Sequence, residues 1–362
     1  MYGIIDLKEN EKEIKMKKQL ARIFAFILIL SLTVILFASC QPDSHVTPDN
    51  SETPSAPSGD GGSTGDDGNG DSDQSVEKNA LDGKKVLFIG NSHTYYGKTV
   101  LEKSQSVLKQ EARSNDKGYF YQICKQNGAD VSVTNWTFGN HNFDDLFVNC
   151  DADRGCNDVK HADYLTDRNF DYVILQQGTG NYSAEELHAS IARVTEVFKE
   201  ANPDVKFIFA VSRRAHEKNL QWLSERKVLA EQGFIIVDWG DLVDDIITGE
   251  VAVPGAAQQY NQNSFIIRKS ASDGYHPNML TGYITSLMVY CAITGESAVG
   301  QGYGFCGDKS VYSGFNFSYF ISKYYTYDGA TTNFTEIFAS EADMAGIQSL
   351  IDKYLLEKPY IN

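Results

Sequence analysis

Four short apolar runs constrain this chain more than anything else in it: Lys84–Ile89 (KKVLFI), Asp171–Leu175 (DYVIL), Lys206–Val211 (KFIFAV) and Phe234–Val237 (FIIV). Each is rich in β-branched and aromatic residues, too short for a helix, and apolar at successive positions. That is the pattern of strands buried on both faces, as in a parallel sheet. Val131–Trp136 adds a fifth, alternating strand. Helical spacing fills the intervals. Val100, Leu101, Val107 and Leu108 predict a helix over Gly97–Lys109. Ser183-Ala184-Glu185-Glu186 is a capping box leading into Leu187, Ile191, Val194 and Phe198. Further helices are expected around Leu220–Gln232, over Leu280–Ile293 with Tyr283, Ile284, Leu287 and Met288 on one face and Gly295 closing it, and over Ala342–Leu356. Alternating strands and helices predict an α/β fold, a three-layer α/β/α arrangement with a mostly parallel sheet of about five strands. No repeat or second linker divides residues 81–362, which read as one domain.

The chain ahead of that domain has two other characters. Lys17, Lys18 and Arg22 precede an apolar run from Ile23 to Ala38, and Ala38-Ser39 stand before Cys40. This is the layout of a secretory signal. The cysteine after the small pair resembles the lipobox of bacterial lipoproteins, with Phe37 where an aliphatic residue is commoner. The resemblance implies cleavage before Cys40, lipid on its sulfur, and a protein anchored outside the cytoplasmic membrane of a bacterium. An uncleaved single-span anchor is the alternative, for which the run is slightly short. Residues 41–80 are dominated by Ser, Gly, Asp, Thr and Pro. They cannot bury enough apolar surface to offset their ordering entropy and read as a disordered linker, with an r.m.s. span of about 35 Å. The 362 residues carry 32 Lys and Arg against 48 Asp and Glu, a formal charge of −16, which argues against nucleic-acid binding. Beyond Cys40 five cysteines remain, an odd number, with Cys150 and Cys156 the pair nearest in sequence. No Cys or His spacing supports a zinc site, so no metal is expected.

In parallel α/β sheets, sites form beyond the carboxyl ends of the strands. There the sequence places Gly90-Asn91-Ser92-His93, Gly139-Asn140, Gln176-Gln177-Gly178 and Ser212-Arg213. Ser92 stands in a tight turn between strand and helix. A hydroxyl becomes a nucleophile when a base and an orienting acid serve it, and Asp273-Gly274-Tyr275-His276-Pro277 supplies both in one short loop ahead of a helix.

A first strand running into Gly90-Asn91-Ser92, together with the late Asp273-x-x-His276-Pro277, resembles the SGNH (GDSL-like) hydrolase superfamily, whose fold is flavodoxin-like. Gly90-Asn91-Ser92-x-Thr94 looks more like a bacterial subgroup of uncharacterised, often secreted members. The resemblance covers most of residues 84–296. It implies Ser92 as nucleophile, His276 as base and Asp273 as its orienter. Gly139 matches the second-block glycine that donates an amide to the oxyanion. The third block departs from the family pattern: Gly180 stands at the usual asparagine position and Asn181 follows it, so Gln176, with Asn181 as alternative, is expected to complete the oxyanion hole. The implied activity is a serine esterase removing small acyl groups, acetyl foremost, from carbohydrate without cofactor. The rival reading is a non-catalytic glycan-binding lipoprotein that keeps the hydrolase fold.

Other features rank lower. His93 reads as a surface histidine pointing away from Ser92; His141, beside the oxyanion loop, reads either as a group within reach of substrate or, equally well, as an ordinary histidine with no part in the site. Asp238 is the rival orienter should Asp273 point elsewhere. Asp151, Asp153, Asn157 and Asp158 suggest a calcium loop but lack the glycine and terminal glutamate of one, so an acidic surface loop is the better reading. The Tyr- and Phe-rich stretch from Tyr303 to Tyr327 reads as a packed extension before it reads as a sugar platform.

Overall fold

A computed structural model describes residues 79–97, 99–100, 113–114, 118–139, 141–148, 160–176, 183–213, 225–256, 259–266, 276–306 and 340–357. All of them fall within one unit, Gln74–Asn362. The signal segment, Cys40, the linker, Cys150, Cys156, the acidic stretch 151–158, Asn181, Asp273 and the aromatic stretch beyond Cys306 lie outside the described residues.

The strands are β1 (Lys85–Gly90), β2 (Arg113–Ser114), β3 (Ser132–Thr137), β4 (Tyr172–Leu175), β5 (Lys206–Ala210) and β6 (Ile235–Val237), paired in the order β2-β3-β1-β4-β5-β6. Five run parallel. The two-residue β2 is antiparallel to β3 at the edge. Leaving β2 aside, the parallel strands stand in the flavodoxin-like order, second-first-third-fourth-fifth. The expected fold class is therefore observed, with one edge strand added. In this order the chain reverses direction across the sheet between β1 and β4, and the crevice beyond their carboxyl ends is where such folds hold ligands.

The period of two along each strand sorts its side chains onto two cores. Val86, Phe88, Tyr172, Ile174, Ile208 and Val237 face one, and Leu87, Ile89, Trp136, Val173, Leu175, Phe207 and Phe209 the other. Both faces are covered, which is why the strands read as unbroken apolar runs.

The helices are α1 (Ser92–Tyr95), α2 (Tyr119–Gln126), α3 (Phe143–Phe147), α4 (Ala184–Ala201), α5 (Trp239–Thr248), α6 (Gln262–Phe265), α7 (Met279–Thr294) and α8 (Glu341–Glu357), with a further helical segment over 225–231. The capping box before α4 forms as its sequence dictates: Ser183 Oγ accepts from the Glu186 N–H and the Glu186 carboxylate accepts from the Ser183 N–H. The expected single apolar face of α7 is corrected. Every residue from Met279 to Cys291 is buried, because the sheet, α2, α5, α6 and α8 enclose this helix together. Most of the helix expected over Gly97–Lys109 lies outside the described residues. Tyr303 and Phe305 do pack onto the core, against Tyr283 and Tyr119. Cys124, Cys291 and Cys306 are free and buried, and burial pushes their thiols up, Cys291 to about 12, so they are poor nucleophiles. Among the described residues no helix is long and apolar enough to cross a membrane.

Candidate active site

β1 is the centre of the sheet, and it ends where a side chain would not fit. A Cβ on Gly90 would stand 2.4 Å from Thr94 Oγ1 and 3.0 Å from the Gln176 carbonyl oxygen. The glycine thus lets the chain turn tightly against β4. Asn91 then caps α1, its Oδ1 accepting from the His93 N–H at 3.1 Å, and Ser92 becomes the first helical residue. Ser92 is half-buried, and its backbone N–H is one of those a helix start leaves without an intrahelical acceptor.

His276 arrives from the opposite end of the chain. The segment behind it is held firmly. Pro277 bridges Ile266, the Asn278 N–H donates to the Phe265 carbonyl at 2.9 Å, and Asn278 Nδ2 donates to the Ser264 carbonyl at 2.7 Å. Asn278 Oδ1 caps α7 by accepting from the Thr281 N–H at 3.0 Å. A second fastening joins the two halves of the site. Gly97, just beyond α1, and Gly282, in the first turns of α7, touch backbone to backbone, and Thr99 Oγ1 donates to the Gly282 carbonyl at 3.3 Å. The result is that Ser92 Oγ lies 2.8 Å from His276 Nε2 across 184 residues of sequence.

The loop after β3 is tied to the same turn. Asn91 Nδ2 donates to the His141 carbonyl at 3.0 Å, and His141 Nδ1 donates to the Gly139 carbonyl at 2.6 Å. Gly139 is exposed, and a Cβ there would stand 2.8 Å from Tyr95 Oη. Asn91 therefore links the nucleophile turn to the glycine loop, a role its position in the Gly-Asn-Ser turn could have suggested. Behind His141 lies His161, only 3% exposed, its ring 5.1 Å from that of His141. Burial, reinforced by the nearby His141, pushes His161 down to about 4, so it is neutral at pH 7.

Three expectations need correcting. Gln176 is 2% exposed; its Oε1 accepts from Thr94 Oγ1 at 2.6 Å and its Nε2 faces Ser212 Oγ at 3.5 Å. Its carboxamide braces β4 against α1 and β5 in place of lining the oxyanion position. Asp238, the rival orienter, caps α5 and pairs with the buried Arg226 guanidinium at 2.5 Å, an ion that Asp241 shares at 2.7 Å. His93 is not a surface residue: it is 6% exposed, and its ring stacks on that of His276, centroids 5.0 Å apart. The expected orienter Asp273 and the alternative donor Asn181 lie outside the described residues. Among the described residues no cluster of three or more His, Cys, Asp or Glu could hold a metal ion.

Fold and site together define a class: a three-layer α/β/α domain of flavodoxin-like strand order, with a serine–histidine pair beyond its central strand. Solved structures to which the chain is similar carry GDSL-like and carbohydrate-esterase descriptions. One, from Parabacteroides merdae, is described as a GDSL-like lipase; the match has 14% identity, covers 59% of this chain and 96% of that one, and has a TM-score of 0.37. An acetyl xylan esterase from Geobacillus stearothermophilus matches with 17% identity over 59% of this chain and 95% of its own, at a TM-score of 0.35. A family two carbohydrate esterase from Clostridium thermocellum, in complex with cellohexaose, matches with 13% identity over 59% and 64%, at 0.36. No family model and no curated protein matches the chain.

Proposed function

We propose that this protein is a serine esterase that hydrolyses small acyl esters, acetyl foremost, on carbohydrate, and that it works outside the cytoplasmic membrane on a lipid anchor at Cys40. The observation that carries the chemistry is the 2.8 Å approach of Ser92 Oγ to His276 Nε2 beyond the central strand. In this reading the Ser92 hydroxyl donates to the unprotonated Nε2, attacks the ester carbonyl and passes its proton to His276. Asp273 holds the Nδ1–H side of the ring and stabilises the imidazolium that forms. The negative oxygen of the tetrahedral intermediate is met by the Ser92 and Gly139 backbone N–H groups, the first at a helix start and the second on an exposed loop. His276 returns the proton to the departing sugar oxygen, leaving an acyl-enzyme. Water, deprotonated by the same imidazole, then releases the acid. With Gln176 turned to Thr94, a third donor falls to the segment that holds Asn181.

The substrate class follows from the superfamily that the Gly90-Asn91-Ser92 and Asp273-x-x-His276 motifs resemble. Turnover of p-nitrophenyl acetate, acetate release from acetylated polysaccharide and labelling by a fluorophosphonate are expected, all lost in a folded Ser92→Ala variant. Undiminished turnover in that variant would refute the esterase reading, and polysaccharide binding without labelling of the wild type would favour the glycan-binding rival. Mass spectrometry of the membrane-extracted wild type should find an N-terminus at Cys40 carrying lipid; an N-terminus upstream of the apolar run would speak for an uncleaved anchor.

A further inference from the structure

The His276 ring is gripped by the nucleophile's own helix and the residue that caps its end. On one side it stacks on His93, with centroids 5.0 Å apart and planes inclined by 26°; on another it meets Tyr96 at 4.8 Å and 53°. Both gripping rings are almost fully buried, and Tyr95 packs edge-on against Tyr96 at 4.9 Å. His93 follows Ser92 directly, and the bond from its N–H to Asn91 Oδ1 sets the turn that also sets Ser92. One Asn-capped turn thus fixes both the hydroxyl and the flat surface on which the imidazole lies.

We propose that His93 is a positioning residue for the esterase reaction: its stacked ring fixes the plane of the His276 imidazole so that the Nε2 lone pair points at Ser92 Oγ. The proposal rests on the esterase reading above. The physical need is specific. Bonds at the ring nitrogens locate those two atoms but restrain rocking of the ring plane only softly, because the second side-chain torsion of histidine has a broad, roughly two-fold profile. The lone pair lies in the ring plane, so a tilted ring misaligns O–H···N even at an acceptable distance, and such bonds weaken steeply as they bend. A second flat ring nearly parallel to the first removes that freedom. Tyr96, steeply inclined, closes the remaining side without setting the plane. What matters in this account is a flat ring at position 93, not its nitrogens.

The test compares wild type, His93→Ala and His93→Phe. With p-nitrophenyl acetate, His93→Ala should lower kcat by on the order of 10- to 100-fold while leaving KM nearly unchanged, the loss that misaligned reacting groups produce. His93→Phe, which restores a flat ring without an ionisable group, should recover kcat to within about fivefold of wild type on the same scale. Fluorophosphonate labelling rates should follow the same order. Wild-type kcat in His93→Ala, or a folded His93→Phe variant as slow as a folded Ala variant, overturns the proposal; if only the Phe variant folds, a loss beyond tenfold in it does so. A reading independent of turnover comes from NMR of the His276 ring protons. His93→Ala should remove an upfield ring-current shift and broaden the signals, and unchanged shifts and widths overturn the clamp. A wild type that neither turns over ester nor labels at Ser92 would instead sink the esterase reading, with the NMR result still deciding whether the ring is held.

Discussion

The contact between Gly97 and Gly282 offers the sharpest perturbation away from the reacting atoms. A Cβ on Gly282 would stand 1.7 Å from the Gly97 carbonyl oxygen, 2.2 Å from its carbon and 2.7 Å from its Cα. To bring the first of these to 3.0 Å the two backbones must part by about 1.3 Å, in a core where added methylenes already cost about 1–3 kcal/mol. The helix is the stiffer partner, since α7 is enclosed on all sides and pinned at its start through Asn278 and Phe265. The displacement therefore falls on the segment leaving α1 and, through it, on the short helix that begins at Ser92. Gly282→Ala is expected to lower the melting temperature by about 2–10 °C for a domain of this size. It should also lower kcat/KM by about 100-fold, the loss that follows roughly 1 Å of misplacement. Gly304→Ala is the control, because nothing lies within 4 Å of a Cβ there. Differential scanning calorimetry and ester hydrolysis, run on both variants, decide the matter. A Gly282→Ala protein that melts and turns over like wild type refutes the packing argument. One that is destabilised but fully active refutes the coupling between this contact and the Ser92–His276 approach.

Two further outcomes follow from the same geometry. Gln176→Met removes the buried acceptor of Thr94 and should cost about 1–3 kcal/mol in urea unfolding while changing kcat by a few-fold at most; a 100-fold fall in kcat would restore Gln176 as an oxyanion donor. His161 is held near 4 when folded and returns to about 6.5 when unfolded, so the unfolded chain takes its proton first. Its contribution is complete above pH 6.5 and lost as pH falls toward 4, on the order of 3 kcal/mol over that window. His161→Phe should flatten this part of the stability–pH curve, and an identical slope in the two proteins would contradict the burial argument.

How much of this was legible in the sequence depends on the range of the interaction. The strands were legible because a doubly covered strand needs no partner to declare itself: VLFI of β1 and YVIL of β4 are apolar at every position. The α4 helix was legible because its capping box is complete within four residues. The shorter helices were not. α5 begins at Asp238, which accepts from the Asp241 N–H, and ends at Gly249 in the left-handed region, so both caps were present in the sequence. Its interior, WGDLVDDIIT, hid them, since two of its acidic residues are buried, Asp241 against Arg226 and Asp244 against Arg213. Such charges read as surface until their partners are known. α2 and α3 were missed for a related reason: Tyr119, Phe120, Phe143 and Phe147 mark buried faces too short to show a period.

The site divides along the same line. Ser92 and His276 were legible because their chemistry is carried in local motifs, a Gly-Asn-Ser turn and an Asp-x-x-His-Pro loop. What joins them is not local. Gly282 lies within an unremarkable helical stretch, and nothing adjacent to it announces that Gly97 will press against it. The error over Gln176 has the same origin. A glutamine at the end of β4 could equally face the crevice or fold back, and the choice is made by Thr94, whose hydroxyl reaches it only because Gly90 has no side chain in the way. His93 was misread because a polar residue beside a nucleophile looks solvated, whereas the arrival of His276 buries it. In each case the residue type announced the chemistry available, and a partner distant in sequence decided how it was used. The glycines at 90, 97 and 282 are then as much a part of the site as the hydroxyl and the imidazole: they set the backbone separations that bring those two groups within a hydrogen bond of each other.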